Sequence, residues 1–472
     1  MRTALSLAAT LAAALALAAP AGAATDFGAT PEAQRAAGLA LGREAHTYGF
    51  PLLEVLRVRA QNTSVTVPDG RGNAPVNTFS HARTFAGPKD RTVVAPNVDT
   101  LYSIAHLDLG HEPVVLKVPP TRGRYWVFQL VDPYTNVIGY LGRRLNGSKG
   151  GTWAITWTGA AQKARLPKGV RRFASPYRRV WVVGRTLTTG GGDLAAARAV
   201  QDRYLLAPLS RFGRRSTEPR AKVIRRRPTK VPAATGLAFL DALGRGLADN
   251  PPPARDKAIL ARLRAAGIGP ALEPAKAGLP QPVLDGLVAG VDAAKAELPG
   301  TTRGEIIVQA LADKGWYVPG PRTGAWGTDY TRRAQAALVG LGINTPAEAA
   351  YPVALTDSDG QALTGAHRYR LTFAPGKAPP TSAFWSLTMY DGDGYLVANA
   401  SKRYAVGDSH PPLRKRADGS IVIAIQRTRP ADAGLNWLPT PPAAFRLNLR
   451  LYSPRESVLS GAWMPPGIER LD

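Results

Sequence analysis

The sequence contains no cysteine. That excludes disulfides, thiolate metal sites and a cysteine nucleophile at once. Histidine is scarce, with six in 472 residues, so a zinc site would need those few imidazoles together with carboxylates. Acidic residues are also few: 34 Asp and Glu stand against 60 Lys and Arg, a formal charge of +26. Beyond the N-terminus no apolar run is long enough to span a bilayer. No G-x-S-x-G elbow, P-loop or dinucleotide-binding glycine motif occurs, so no cofactor is implied. No internal repeat has a fixed period.

What remains is an ordinary globular composition, 44% apolar and 20% charged, in a chain long enough for two or three cored domains. The N-terminus, "MRTALSLAATLAAALALAAPAGAATDFG", has a basic start, an Ala/Leu-rich stretch and Ala21-Gly22-Ala23 as an A-x-A site. It predicts a secretory signal over 1–23 and a mature protein in the periplasm or cell envelope, or secreted. The positive charge has two readings: attraction to an anionic cell-surface polymer, or general surface charge. The densest basic run, "RAKVIRRRPTK" (220–230), reads as a solvated connector. Nucleic acid is disfavoured by the export signal and by the lack of interleaved aromatic and basic residues. Oligomeric state is not legible.

Residues 31–60 have helical spacing, with Thr30-Pro31 as the start and Gly49 and Pro51 as an interruption or end. β-rich runs then dominate: "PVVLKVP" (113–119), "RYWVFQLVD" (124–132), "TWAITWTG" (152–159) and "RRVWVVGRTL" (178–187). In the second, Trp126, Phe128 and Leu130 share one face while Tyr125, Val127 and Val131 share the other, and both look buried. Asp193 reads as the N-cap of "LAAARAVQDRYLL". Helical segments punctuated by Pro and Gly follow, through "TDYTRRAQAALVGLG" (328–342). From about Tyr351 strands return, ending in a run where Phe445, Leu447, Leu449 and Leu451 alternate with Arg446, Asn448, Arg450 and Tyr452.

Several stretches carry a family resemblance. They are "APNVDTLYSIAHLDL", "RYWVFQLVDPYTNVIGYLGRR" and "SPYRRVWVVGRTL" in the first half, and "DYTRRAQAAL" and "NTPAEAAYP" in the middle. "GAHRYRLTF", "FWSLTMYD", "NWLPTP", "FRLNLRLY" and "WMPP" complete the set. In this order they resemble the paired domains of unknown function numbered 1254 (N-terminal) and 1214 (C-terminal), over nearly the whole mature chain. The resemblance implies a mainly β protein with a helical middle. An immunoglobulin-like β-sandwich with a leading helix spans 24–192, a helical domain 193–350 and a jelly-roll-like β-sandwich 351–472. It carries over no catalytic residues.

The candidate site must therefore come from the residues themselves. Asn97, Asp99, Thr100, Tyr102 and Ser103 crowd the start of a strand after Pro96; they shape an Asx turn, line a site, or do both. Ser386, Thr388 and Tyr390 share one strand face, and Arg446, Asn448, Arg450 and Tyr452 another. Each face is either the solvent side of a sheet or a carboxylate- or phosphate-binding surface. A small polar or anionic ligand between domains would meet Asn97, Asp99, Tyr102, Asp132 and Arg185 on one wall and Tyr330, Arg333, Arg450 and Tyr452 on the other. In an enzyme, Asp99 would be the base and Tyr102 would position the ligand. His106, Asp108 and His111 lack metal-site spacing. "DSDG" (357–360) and "DGDG" (391–394) read as hairpin turns rather than calcium loops. "GDSH" (407–410) sets a serine beside an acid and a histidine, which is not triad geometry by itself.

Overall fold

A computed structural model describes residues 26–91, 93–159, 164–214 and 226–472. The expected leader at 1–23, and the basic connector up to residue 225, lie outside the described residues. Among the described residues, four sheets and a helical middle make up the fold, with 29% helix and 24% strand. The chain is thus less dominated by strands than its sequence suggests, because two helices run 32 residues each.

In the N-terminal unit, one sheet has the strand order Ser80–His81, Thr100–Asp108, Arg179–Leu187, Trp126–Val131, Val137–Gly142. A second has the order Arg171–Ser175, Gly151–Trp157, Val114–Val118, Leu205–Pro208. The two face each other across a shared core in which Leu107, Phe128, Leu130 and Val182 meet Val114, Leu116, Trp153 and Ile155. Side-chain alternation explains why Trp126–Val131 is buried throughout. Trp126, Phe128 and Leu130 enter this core, while Tyr125 and Val127 turn to the other side and pack with Phe384 and Tyr452 of the C-terminal unit.

The C-terminal unit repeats the arrangement. One sheet runs Trp316–Tyr317, Val353–Ala354, Phe445–Pro454, Thr381–Asp391, Ala405–Gly407; the other runs Asn436–Leu438, Ile421–Ile425, Tyr369–Phe373, Glu469–Arg470. Trp385, Leu387, Met389 and the expected Phe445, Leu447, Leu449 and Leu451 face Leu371, Phe373, Ile421, Ile423 and Ile425 in its core.

The helical unit is built on Pro31–Asn62, capped by Thr30, whose hydroxyl accepts from the Ala33 amide at 3.2 Å. The helix does not stop at Gly49 or Pro51 as expected. Proline removes one backbone donor, but Leu52 and Val55 just beyond are buried, and packing carries the helix through to Asn62. Its partner is the helix Gln281–Ala312. Gly38 and Gly42 lie against Gly286 and Gly290, and a Cβ at any of the four would strike a main-chain oxygen of the facing helix. The contacts advance together along both helices (Gly38 to Val283, Gly42 to Leu287), so the pair is parallel. The leading helix is therefore physically part of the helical unit, just as Leu205–Pro208 belongs to an N-terminal sheet. Asp193 does not cap the helix Leu194–Gln201, because Arg124 takes its carboxylate in a two-pronged ion pair. Among the described residues no helix is long and apolar enough to cross a membrane.

Candidate functional site

The loop Ala95–Asp99 enters the strand Thr100–Asp108 through an Asx turn. Asn97 Oδ1 accepts from the amides of Asp99 (2.6 Å) and Thr100 (3.0 Å). The same loop is held by the C-terminal unit. Asn97 Nδ2 donates to the Tyr452 hydroxyl at 2.6 Å, the Tyr390 hydroxyl to the Pro96 carbonyl at 2.7 Å, and Arg450 Nη2 to the Ala95 carbonyl at 2.8 Å. The turn and the domain junction are one structure.

This overturns the reading of the two polar strand faces as solvent-facing. Ser386 and Arg450 are paired across the ladder, as are Thr388 and Asn448. All four are buried, as are Tyr390 and Tyr452. Phe384, Ser386, Tyr390, Arg450 and Tyr452 face the N-terminal unit, while Trp385, Leu387, Met389, Phe445, Leu447, Leu449 and Leu451 fill the C-terminal core. A polar sheet face is buried here because it meets another polar face.

Asp99 lies at the centre of that junction and has no exposed surface. Ser386 donates to its Oδ2 at 2.7 Å and Ser409 to its Oδ1 at 2.9 Å; His410 Nε2 lies 2.8 Å from Oδ1. Burial alone would push the carboxyl up. The His410 hydrogen bond and charge, the Arg450 guanidinium and the Ser386 hydroxyl outweigh it and hold Asp99 below the ordinary carboxylate range. A carboxylate only accepts, so His410 carries its proton on Nε2. Its Nδ1 has no hydrogen-bond partner among the described residues, and 22% of the side chain is exposed. The Ser409 hydroxyl is committed to Asp99 and the Trp385 carbonyl, so "GDSH" forms no serine–histidine pair.

One guanidinium, Arg450, acts on the carboxylate, and a second, Arg185, lies in the same junction near Tyr102 and Tyr452. Arg450 Nη1 donates to Thr388 Oγ1 at 2.9 Å, and its Nη2 also donates to the Tyr390 hydroxyl at 2.7 Å. Arg185 donates to Gln129 Oε1 at 2.8 Å and sits 5.4 Å over the Tyr102 ring; its buried Nε has no partner. Asn97, Asp99, Tyr102, Arg185, Arg450 and Tyr452 thus gather at the junction of the two β units.

Asp132, Tyr330 and Arg333 gather elsewhere. Asp132 closes its own turn, accepting from the Tyr134 and Asn136 amides at 2.8 Å each, and burial pushes its carboxyl up to about 6. Arg333 is fully buried, with its guanidinium 5.0 Å from the Tyr48 and Tyr330 rings and 5.7 Å from Tyr134. Tyr48 and Tyr330 both donate to Asp256, whose Oδ2 lies 3.9 Å from Arg333 Nη1. An arginine in a tyrosine cage holds helices together here, away from Asp99.

Ser386, Ser409 and His410 were missed as partners of Asp99. "GDSH" holds two of them, but the acid that binds them lies 311 residues before His410, a separation no local motif encodes. His106 stacks on Trp181, and Asp108 is clamped by Arg178 at 2.7 and 3.0 Å. The Asp-Gly runs form turns in which Asp357 Oδ1 accepts from the Asp359 and Gln361 amides and Asp391 Oδ1 from Tyr395.

Two solved structures match the chain, and the first of them shares its fold. The crystal structure of the VPA0106 protein from Vibrio parahaemolyticus is 23% identical, with a TM-score of 0.67 over 92% of this chain and 100% of that one. That of an uncharacterised protein from Burkholderia cenocepacia is 13% identical, with a TM-score of 0.40 over 93% and 96%. No curated protein matches the chain. Residues 76–208 match the family "Protein of unknown function (DUF1254)" and residues 348–456 match "Protein of unknown function (DUF1214)". The chain therefore joins a domain of the DUF1254 family to a C-terminal domain of the DUF1214 family, and Asp99 lies in the first while its three partners lie in the second.

Proposed function

We propose that this protein binds a small polar or anionic ligand at the rim of the junction between its two β units and moves a proton on it. His410 is the acid–base group and Asp99 positions it. The observation that carries this reading is the Asp99–His410 pair: a fully buried carboxylate fixes one imidazole nitrogen at 2.8 Å, while the other is unpartnered on a partly exposed side chain. A carboxylate in that position sets the tautomer and stabilises the imidazolium formed when Nδ1 accepts a proton. Asp99 itself has no surface to offer a ligand, so it is the orienting group and not the base. The formal charge of +26 favours an anionic substrate.

The proposal includes export through the N-terminal segment, which rests on the sequence pattern. It also includes immunoglobulin-like and jelly-roll-like topologies for the two sheet pairs, which the shared cores support.

The test is a screen of thermal shifts against small carboxylates, phosphates and sugars, repeated with His410→Ala. A ligand that stabilises the wild type by mass action and loses most of that effect in the variant supports the reading. A screen in which every stabilising ligand acts equally on both proteins, or a flat screen, refutes it.

A further inference from the structure

The C-terminal unit holds a second site, outside the junction. A groove of about 250 Å³ opens between the loops around the strand Asn436–Leu438, and three arginines line it: Arg403, Arg414 and Arg429. That volume is a little below the ~300–1,000 Å³ usual for small-molecule pockets. One acid lines it, Asp432, and this carboxylate is taken by Arg416 at 3.2 Å and the Gly434 amide at 2.7 Å. Neither Arg414 nor Arg429 has an ion-pair partner among the described residues.

The groove is built rather than incidental. Asn436 is buried and ties the Arg414 main chain down from both sides: its Oδ1 accepts from the Arg414 amide at 2.8 Å, and its Nδ2 donates to the Arg414 carbonyl at 2.9 Å. The Trp437 indole is fixed by donating to the Gln426 carbonyl at 2.8 Å, and Arg403 is fixed by donating to the Trp437 carbonyl at 3.1 Å. Burial, with the charges of Arg414 and Arg429, lowers the proton affinity of Arg403. Like charges gathered without a counter-charge destabilise a fold, and a bound anion removes that cost. Guanidinium groups also suit oxyanions, which accept their paired N–H donors two at a time.

We infer that this groove is a binding site for a small multivalent oxyanion, a phosphate or polycarboxylate, held by Arg403, Arg414 and Arg429 beside the Trp437 ring. It acts independently of the Asp99–His410 pair.

The full-length protein is titrated calorimetrically with inorganic phosphate, pyrophosphate and citrate, at low salt and at about 0.15 M salt. Arg414→Ala and Arg429→Ala are the test variants. Arg264→Ala, an exposed arginine of the helical unit, controls for net charge, and every protein titrated also carries His410→Ala so that the junction does not contribute. The expected result is one-to-one binding that persists at the higher salt. Each groove variant weakens it about tenfold or more, and Arg264→Ala leaves it unchanged. Comparing citrate with the phosphates tells which oxyanion class fits. Binding that vanishes with salt, or that all variants share equally, would make the effect one of general surface charge and overturn the proposal. No binding of any probe would overturn it as well.

Discussion

Replacing Asp99 by alanine removes one carboxylate and strands three groups that point at it from the other β unit. Ser386 and His410 lose their acceptor, Ser409 keeps only the Trp385 carbonyl, and Arg450 loses an anion beside it. Hydrogen bonds to a charged group contribute about 1.5–3 kcal/mol each. Some of the three donors will find water once the side chain is gone, so the loss is less than their sum. Removing one partner of a buried ionic cluster costs about 3–5 kcal/mol, and that is the expected destabilisation here. Asp99→Asn, which keeps the volume and one acceptor, should lose less. The pH dependence supplies a second handle. Asp99 has a folded-state pKa below its unfolded value, so its contribution is fully present above about pH 4. It is lost as pH falls through the lower folded value. The gap between wild type and Asp99→Ala should therefore be constant from pH 7 to about 5 and close as the solution is made more acidic. Urea unfolding at several pH values measures this. Because the network joins two units, the variant should also unfold in two separated steps where the wild type unfolds with the units coupled. A loss under about 1 kcal/mol at neutral pH, or a gap that does not change in acid, would refute the account of the junction.

Gly42→Ala should destabilise the helical unit by about 1–3 kcal/mol, because the added methyl meets the Leu287 carbonyl and forces the helices apart. Far-UV circular dichroism during urea unfolding reads this, and Gly300→Ala on the facing helix, where a Cβ meets nothing, should be neutral or stabilising. Burial holds His46 and His81 at about 4 and His106 at about 3. The unfolded chain takes up those protons first, so these residues make stability fall as pH drops from about 6.5 towards 4. His106→Phe, which keeps a ring against Trp181, should flatten that slope in a series of thermal melts.

Strand alternation was the most legible feature of the fold. The period of two in "RYWVFQLVD" correctly shows two buried faces, and in "FRLNLRLYS" it correctly picks the core face. What the polar face of that last strand meets could not be read, since burial of Arg450 and Tyr452 depends on a loop 355 residues away in sequence from Tyr452. The Asn97–Asp99 cluster was legible as a turn because an Asx turn is local. Its partners were not, since hydrogen bonds across a domain junction leave no spacing in the chain. The chemistry of Tyr330 and Arg333 is spent on an internal tyrosine cage, and that of Asp132 on its own turn. The glycine spacing G-x-x-x-G at Gly38–Gly42 and again at Gly286–Gly290 was present in the sequence as a signal for close helix packing.

That parallel glycine seam also has a consequence in time. Arg43 and Glu297, which pair across it at 2.8 Å, are 254 residues apart. At ~5–20 residues per second, a ribosome makes the second helix on the order of ten to fifty seconds after the first. Through that interval the glycine face of the leading helix has no partner, while the strands between them are emerging. The first described element to be synthesised is therefore among the last to be completed. A chaperone that covers the early helix would act in that window.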